Sequence, residues 1–269
     1  MASRTPKWRE IAETFAQKIR DREYLPGDQL PQIRELVSQG LGSKTTIMAA
    51  YRSLETEGLV VTARGHGTRV RRQYPRQVRR HQTRYGWEKA LALKPEVERR
   101  GNGVVEQDTG LAHEQVECHA EFNTVPADDR LAQRFGVPPG TLMLHRQYWH
   151  SVPGDPIALS LIDSYLVHEV ASRNPDLLDS SLEPWPGGTH HQLSTIGIEI
   201  DQIQDDISTR LATLHESQHL GIPNGSPVIL LDKTSVSTDA EVVEFSHVVL
   251  PGERTEISYT VPLERWPGR

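Results

Sequence analysis

Two histidines and a glutamate near residue 215 have a spacing that could bind zinc. The stretch HESQH, residues 215–219, matches the H-E-x-x-H pattern, in which two histidines on one helical face bind Zn²⁺ and the glutamate is a general base. The chemistry would be that of a metallopeptidase, with Glu241 or Glu244 as a third ligand. We expect a fortuitous match, because a pattern with two free positions arises easily.

The helix predicted to carry this motif is unfavourable for catalysis. Its apolar stripe, Ile207, Leu211 and Leu214, turns Glu216 towards solvent, and Gly221 ends the helix. The motif would therefore lie at an exposed helix end, and we expect no metal site and no catalytic residue.

A second stretch, residues 43–70, carries side chains suited to a polyanion such as DNA. Its candidate contact residues include Lys44, Thr45, Arg64, Gly65 and His66. Residues 1–80 hold 16 Lys and Arg against 8 Asp and Glu, whereas the remaining 189 residues hold 14 against 28. In a chain with a net charge of −6, this asymmetry indicates a basic module joined to an acidic module with another task.

The composition limits the remaining function classes. With 269 residues, 36% of them hydrophobic, the chain can form one large or two ordinary domains. No apolar run approaches the roughly 20 residues of a membrane span, and the first residues lack the apolar core of a signal peptide. Cys118 is the single cysteine, so no intrachain disulfide can form, and we expect a cytoplasmic protein.

The elements that position residues 43–70 form a small helical unit. Helical periodicity predicts a first helix over 8–23, a short second helix with Pro31 in its first turn, and a third helix capped by Ser43. Two β-prone runs then flank a glycine-containing turn, which predicts a hairpin. Three helices and a basic hairpin make a winged helix-turn-helix. The predicted buried residues of the helices are Trp8, Ile11, Ala12, Phe15, Ile19, Ile33, Leu36, Val37, Ile47, Ala50, Tyr51 and Leu54.

This unit resembles the DNA-binding domain of the GntR superfamily of bacterial transcription regulators. The motifs LPQIREL, SKTTIMAAYRSLETEGLV and GHGTRV occur in order between residues 8 and 70. Lys44 stands where many members have arginine, which removes bidentate geometry, and Met48 stands where some members have a base-reading arginine. The DNA sequence of the operator therefore cannot be inferred from the operators of other family members. The DNA-binding residues that the resemblance implies, with His66 added for the wing, are Arg34, Ser43, Lys44, Thr45, Thr46, Arg64, Gly65 and His66.

The remainder of the chain follows a different pattern. Residues 76–103 are rich in arginine and predict an exposed basic linker. From about Val104, β-prone runs alternate with helical segments, chiefly 128–135 and 202–219, which indicates an α+β domain with a mainly antiparallel sheet. The predicted strands are 116–125, 142–151, 157–166, 197–200, 228–235, 242–250 and 255–261.

A weak internal repeat indicates that this domain has two similar halves. RFGVPPGTLML, residues 134–144, recurs as HLGIPNGSPVI, residues 219–229, at an offset of 85 residues. In each copy a helix ends at a glycine, and the chain turns into a strand that is followed by a second strand. Two similar hairpins in one sheet would leave a cleft between the halves.

The order of these pieces resembles the effector-sensing domain of HutC-like GntR regulators, called UTRA, which has a chorismate lyase-like fold. The likeness covers about residues 104–266 and includes GDPIALSLIDSYL, GIPNGSPVILL and VVEFSHVVLPG. It implies a small-molecule pocket with Arg146 on an anionic ligand, although Arg146 could instead pair with a surface carboxylate. Tyr148 and Ile162 replace residues that are charged in sugar-phosphate sensors, which favours a more apolar effector. The implied effector-binding residues are Arg146, Thr189, His190, Glu244 and Ser246.

Together these patterns predict a winged helix-turn-helix over 1–75, a basic linker over 76–103, and a UTRA-like effector-binding and dimerisation domain over 104–269. We expect a ligand-responsive repressor without enzymatic activity or cofactor, whose partners are double-stranded DNA, a small molecule and a second copy of itself. Two recognition helices about 34 Å apart would read a pseudo-palindromic operator. The alternatives are the zinc metallopeptidase and a DNA-binding protein that responds to no effector.

Overall fold

The computed structural model describes residues 6–63, 67–72 and 74–263, and the chain divides into two compact units. One unit comprises Met1–Tyr74 with Thr213–Gly225, and the other comprises Pro75–Ala212 with Ser226–Arg269. Within the described ranges, no helix is long and apolar enough to cross a membrane. The helices are α1 (Lys7–Arg20), α2 (Ile33–Ser38), α3 (Lys44–Thr56), α4 (His81–Ala92), α5 (Glu96–Arg99), α6 (Val104–Thr109), α7 (Asp129–Phe135), α8 (His168–Ala171), α9 (Gly188–Ser194) and α10 (Leu214–Leu220). The strands are β1 (Val60–Ala63), β2 (Gly67–Val70), β3 (Gln77–Arg80), β4 (Glu117–Pro126), β5 (Leu142–Ser151), β6 (Ala158–Val167), β7 (Ile200–Leu211), β8 (Pro227–Ser237), β9 (Val242–Pro251) and β10 (Thr255–Ser258).

The first unit contains the predicted three helices and hairpin. β1 and β2 pair antiparallel, with Val60 opposite Val70. Pro31 precedes α2 and its N-cap instead of lying in its first turn. Val37, expected in the core, is 40% exposed, and Leu36 is the buried residue of α2. The buried core consists of Ile11, Ala12, Phe15, Ala16, Leu30, Leu36, Ile47, Ala50, Tyr51, Leu54, Val60 and Val70.

A six-stranded antiparallel sheet is the framework of the second unit. Its strand order is β4-β5-β6-β9-β8-β7, so two three-stranded halves meet where β6 pairs with β9. On one face, α7 packs against Met143 of β5 and Phe245 of β9. On the other face, α8 and α9 pack against Leu144 of β5 and Leu166 of β6. Neighbouring residues of a strand point to opposite faces, so Met143 packs in one layer and Leu144 in the other.

The 85-residue repeat forms two equivalent helix–hairpin units, which confirms the prediction. Asp128 caps α7 and Gly136 ends it with φ 65°, after which the chain enters β5 and β6. Thr213 caps α10 and Gly221 ends it with φ 61°, after which the chain enters β8 and β9. Both copies have glycine at this position because a left-handed conformation after a helix is strained for other residues.

Residues 76–103, expected to be an exposed linker, are exposed over 93–98 but packed in β3 and at the start of α4. β3 pairs in parallel with β10, and His81 of α4 is buried. The arginine-rich composition was misleading because carboxylates of the same unit neutralise several of these side chains. Arg79, only 5% exposed, and Arg84 both form ion pairs with Asp108. The domain boundaries at residues 75 and 103 stay predictions.

Residues 202–219, predicted as one helix, form β7 and α10 instead. Ile203, Ile207 and Leu211 recur every four residues, a spacing that fits both the helical period and alternate positions of a strand. β7 pairs with β8 at the edge of the sheet and leaves Ile207 and Leu211 exposed. The strand predicted at 197–200 is a turn that leads into β7.

Candidate functional site

The first turn of α3 presents most of the predicted DNA-binding residues. The Ser43 hydroxyl accepts a hydrogen bond from the backbone N–H of Thr46 at 3.2 Å, which fixes the start of the helix. Lys44 and Thr45 are exposed beside it. The remaining backbone N–H groups of such a turn, together with a cation, can bind phosphates and base edges.

A second cation, Arg34, lies exposed on α2. Neither Arg34 nor Lys44 forms an ion pair with any residue that the structure describes, so both charges are available to a polyanion. The predicted wing residues Arg64, Gly65 and His66 lie outside the described residues.

In the second unit, strand register brings polar side chains into one row. Arg146 of β5 lies opposite Ser164 of β6, which lies opposite Ser246 of β9, which in turn lies opposite Lys233 of β8. Residues opposite each other in register point to the same face. The row therefore places two cations and two hydroxyls on the same face of the sheet.

Glu244 pairs with both cations of this row, and each of its carboxylate oxygens accepts from one cation and at least one hydroxyl. Its Oε1 accepts from Arg146 Nη2 at 3.0 Å and from the Ser164 hydroxyl at 2.9 Å. Its Oε2 accepts from Lys233 Nζ at 2.9 Å and from the Ser235 hydroxyl at 3.1 Å. Burial by itself raises the pKa of Glu244, but the Lys233 ammonium and the Arg146 guanidinium outweigh it and hold the pKa far below the usual range.

A cavity of about 640 Å³ in the second unit lies against this row. The sheet contributes Tyr148, Ile162, Lys233 and Glu244, among others, to its lining. The segment 183–189 forms another side, and residues 79–118 form a third. A concave site of this size with apolar surfaces and a few fixed polar groups is typical of small-molecule binding.

The structure brings three of the five predicted effector residues into this cavity. Thr189, Glu244 and Ser246 line it, and the Thr189 hydroxyl donates to Glu244 Oε1 at 3.3 Å. Arg146 and His190 are buried and do not line it. The partner of Arg146 is the buried Glu244, not a surface carboxylate.

His190 of α9 is buried and does not line the cavity. Its Nε2 is 3.9 Å from Glu88 Oε2, and burial lowers the pKa of the His190 imidazole. A buried neutral imidazole in this position supports the packing of α9 and does not present itself to a ligand.

Sequence reasoning missed Lys233 and Glu183 as site residues. Glu183 Oε1 accepts from the Tyr148 hydroxyl at 2.9 Å and from Gln192 Nε2 at 2.8 Å. The proline-rich stretch EPWPGG, which carries Glu183 and lines the cavity, was a signal that could have identified this side. Tyr148 and Ile162, the two positions that depart from the charged residues of sugar-phosphate sensors, both line the cavity.

Two further cavity groups are held in their neutral forms by burial. Burial, together with His119 and Arg79, lowers the pKa of His150 to about 4. Burial also raises the pKa of the Cys118 thiol to about 12, so this cysteine has no thiolate character near neutrality.

The HESQH stretch has a structural explanation that differs from the prediction. Glu216 is buried, not solvent-exposed, and its carboxylate accepts from the Thr213 backbone N–H at 2.8 Å in a capping box. The His219 Nδ1 is 2.8 Å from the backbone oxygen of His215. Within the described part of the chain, no group of three or more His, Cys, Asp or Glu side chains could hold a metal ion.

Comparisons with known proteins agree with both units. The family model for bacterial regulatory proteins of the gntR family matches residues 7–70, and the UTRA domain model matches residues 119–256. An uncharacterized HTH-type transcriptional regulator of Streptomyces coelicolor is 36% identical over 264 residues, which cover 96% of this chain and 94% of that protein. The histidine utilization repressor of Klebsiella aerogenes is 23% identical over 263 residues, or 93% of this chain and 92% of that protein.

A solved structure shares the fold over nearly the whole length. The crystal structure of PhnF from Mycobacterium smegmatis has a TM-score of 0.51 and 20% identity, covering 96% of this chain and 99% of that one. The first unit exposes the start of α3, and the second unit is built on a six-stranded sheet. Together with these matches, this shows that the chain belongs to the GntR family of bacterial regulatory proteins and is an HTH-type transcriptional regulator of the HutC kind with a UTRA domain.

Proposed function

We propose that this regulator is a repressor that binds a pseudo-palindromic operator as a homodimer and releases it when a small molecule enters the cavity of the second unit. The observation that carries the proposal is the capped, exposed first turn of α3, where Lys44 has no ion-pair partner among the described residues. A protein that binds bacterial chromosomal DNA in this way acts in the cytoplasm.

The DNA contacts divide into two groups. Lys44, Thr45, Thr46 and Arg34 contact the major-groove side, where Ser43 caps the start of α3. For the wing, Arg64, Gly65 and His66 are proposed on the sequence alone. In a symmetric dimer the two α3 helices would lie about 34 Å apart, which sets the spacing of the half-sites.

The effector contacts lie around Glu244. We assign Thr189, Ser246 and Lys233 to ligand binding, since all three line the cavity beside Glu244. Arg146 is assigned a positioning role, because its guanidinium donates to Glu244, Ser164 and Gln192 and so holds the floor of the cavity.

The chain connectivity supports coupling between ligand and DNA. Arg79 of β3 lines the cavity, and β3 begins at Gln77, three residues after Tyr74, the last residue of the first segment of the first unit. A ligand that shifts β3 therefore acts on the connection itself. The affinities for ligand and for DNA are then reciprocally coupled.

Selection of duplexes from a random library by the full-length protein tests this function. The expected result is a pseudo-palindromic consensus with half-sites about 10 base pairs apart, or a multiple of this distance, and two protomers per duplex. Failure to enrich any sequence would contradict operator recognition. Enrichment of a single asymmetric half-site would contradict the homodimer. If no ligand of the cavity changed the affinity for the operator, the effector response would be contradicted and the protein would be a constitutive DNA-binding protein.

A further inference from the structure

One side of the cavity is formed by a stretch that neither family model covers. The two matches leave residues 71–118 unmatched, yet residues 79–118 supply half of the residues that line the cavity. We call residues 79–118 the connecting wall. Because the wall lies outside the shared UTRA match, ligand preferences particular to this chain are expected to depend on it.

The connecting wall is firmly attached to the second unit. The Gln77 side chain, just before it, donates to the backbone oxygen of Leu159 at 2.6 Å. Within the wall, the Tyr85 hydroxyl donates to Asp205 Oδ2 at 2.6 Å, and His81 Nδ1 is 2.6 Å from the same oxygen. The wall is therefore a fixed side of the cavity that can present ligand-binding groups.

Three of the four arginines that the wall contributes to the cavity have carboxylate partners. Arg79 and Arg84 share Asp108, and Arg84 also pairs with Glu88. Arg100, which is largely exposed, pairs with Glu96. These charges are neutralised within the protein and offer little to a ligand.

Arg99 is different from these three. Its Nη1 donates only to the backbone oxygen of Lys94, at 3.0 Å, and no carboxylate of a described residue is within ion-pairing distance. Its Nε is buried without a hydrogen-bond partner among the described residues. A guanidinium that lacks a carboxylate partner at a cavity favours a ligand that brings acceptor oxygens.

The apolar part of the cavity complements this cation. Trp87 and Leu91 of the connecting wall face the same space as Tyr148, Ile162 and Trp185. Ring faces and aliphatic side chains of this kind favour a flat or extended apolar body.

We propose that the effector is an organic acid with an apolar body, whose acidic group is bound by Arg99 and whose body packs against Trp87 of the connecting wall. This inference rests on the proposed role of the cavity as the effector site. It adds the chemical class of the ligand and two residues that determine its binding.

Two fluorescent probes that differ by one acidic group test the proposal on the full-length protein. They are 8-anilinonaphthalene-1-sulfonate and its uncharged counterpart N-phenyl-1-naphthylamine. Arg99→Gln should weaken binding of the sulfonate about tenfold, the loss expected for one charge-assisted contact, and leave the uncharged probe within about twofold. The matched control Arg100→Gln should change neither affinity by more than about twofold, because Arg100 already pairs with Glu96.

The apolar contact is tested with a second matched pair. Trp87→Ala should weaken both probes about fivefold or more, whereas Trp149→Ala, which removes a tryptophan outside the cavity lining, should weaken neither. Arg99→Lys, which keeps the charge, should retain most of the affinity for the sulfonate and so separates loss of charge from loss of fold.

Equal effects of Arg99→Gln and Arg100→Gln would overturn the proposal. Equal effects of Trp87→Ala and Trp149→Ala, or no binding of either probe, would do so as well. These titrations contain no DNA. A protein that selects an operator but shows no dependence on Arg99 therefore keeps its proposed function and loses only this ligand assignment.

Discussion

Arg146 and Glu244 form a buried ion pair, with Nη2 and Oε1 3.0 Å apart and side chains only 1% and 2% exposed. Lys233 approaches the other carboxylate oxygen at 2.9 Å, so one buried anion holds two cations in the floor of the cavity. The arginine that the family resemblance assigned to the ligand is therefore already engaged. Its removal is expected to disturb the site through Glu244.

Arg146→Ala tests this arrangement through stability. We expect the free energy of unfolding to fall by about 3–5 kcal/mol, because the substitution breaks a buried pair and removes three hydrogen bonds. The matched control Arg130→Ala breaks an exposed pair with Asp232 and should cost less than about 1 kcal/mol. Denaturant titration of both variants measures the difference. Comparable losses in the two variants would refute the structural role of Arg146.

The pH dependence of stability tests the buried state of His150. Its pKa in the folded protein is about 4, below the ordinary 6.5, so the unfolded chain takes up the proton first as the pH falls. The stabilising contribution is complete above about pH 6.5 and is lost progressively between pH 6.5 and pH 4. Denaturant titrations at several pH values in this range should show that the free energy of unfolding depends less steeply on pH in His150→Phe than in the wild type. Identical slopes would mean that the His150 imidazole titrates normally.

Lys44→Ala tests the start of α3. If Lys44 contacts a base, the substitution should weaken operator binding by about 1–3 kcal/mol. If Lys44 contacts a phosphate, binding should weaken almost equally for all DNA sequences, and the slope of log affinity against log salt concentration should decrease by about one. Lys18→Ala is the control, because Lys18 lies on α1 and pairs with Glu23. Fluorescence anisotropy at several salt concentrations distinguishes these outcomes, and equal effects of the two variants would exclude a particular role for Lys44.

Two glycine substitutions with opposite expected signs test the repeated helix ends. Gly136→Ala should lower the free energy of unfolding by about 1 kcal/mol, since alanine is strained at φ 65°. Gly86→Ala, inside α4 and with open space around the position of the new Cβ, should raise it by about 0.5–1 kcal/mol. Thermal or chemical denaturation reports both, and a stabilising Gly136→Ala would contradict the assigned helix end.

Where local rules and long-range packing agreed, the fold could be predicted from the sequence. The sequence predicts three features that depend only on neighbours within a few residues. They are Ser43 as N-cap, the apolar face of α3 and the glycines that end α7 and α10. The segment 202–211 was misjudged because a spacing of four residues satisfies both a helix and a strand, and only pairing with β8 decides between them.

The candidate site was only partly predictable for a related reason. Glu244, Ser246 and Thr189 were found through family resemblance, while the connecting wall has no counterpart in either family match. The arginines of the connecting wall predict a solvated linker, because Asp108, which forms ion pairs with Arg79 and Arg84, lies 24 residues beyond Arg84. Pairings over such separations follow from the folded chain and not from local sequence.

The affinity ratio between specific and unrelated DNA tests the central claim most directly. Fluorescence anisotropy should compare the duplex that the full-length protein selects with a scrambled duplex of equal length at the same salt concentration. The account predicts that the selected duplex binds at least about 10³-fold more tightly, as expected for base readout added to phosphate binding. Equal affinities would show that α3 does not read sequence, and this protein would then not be an operator-specific regulator.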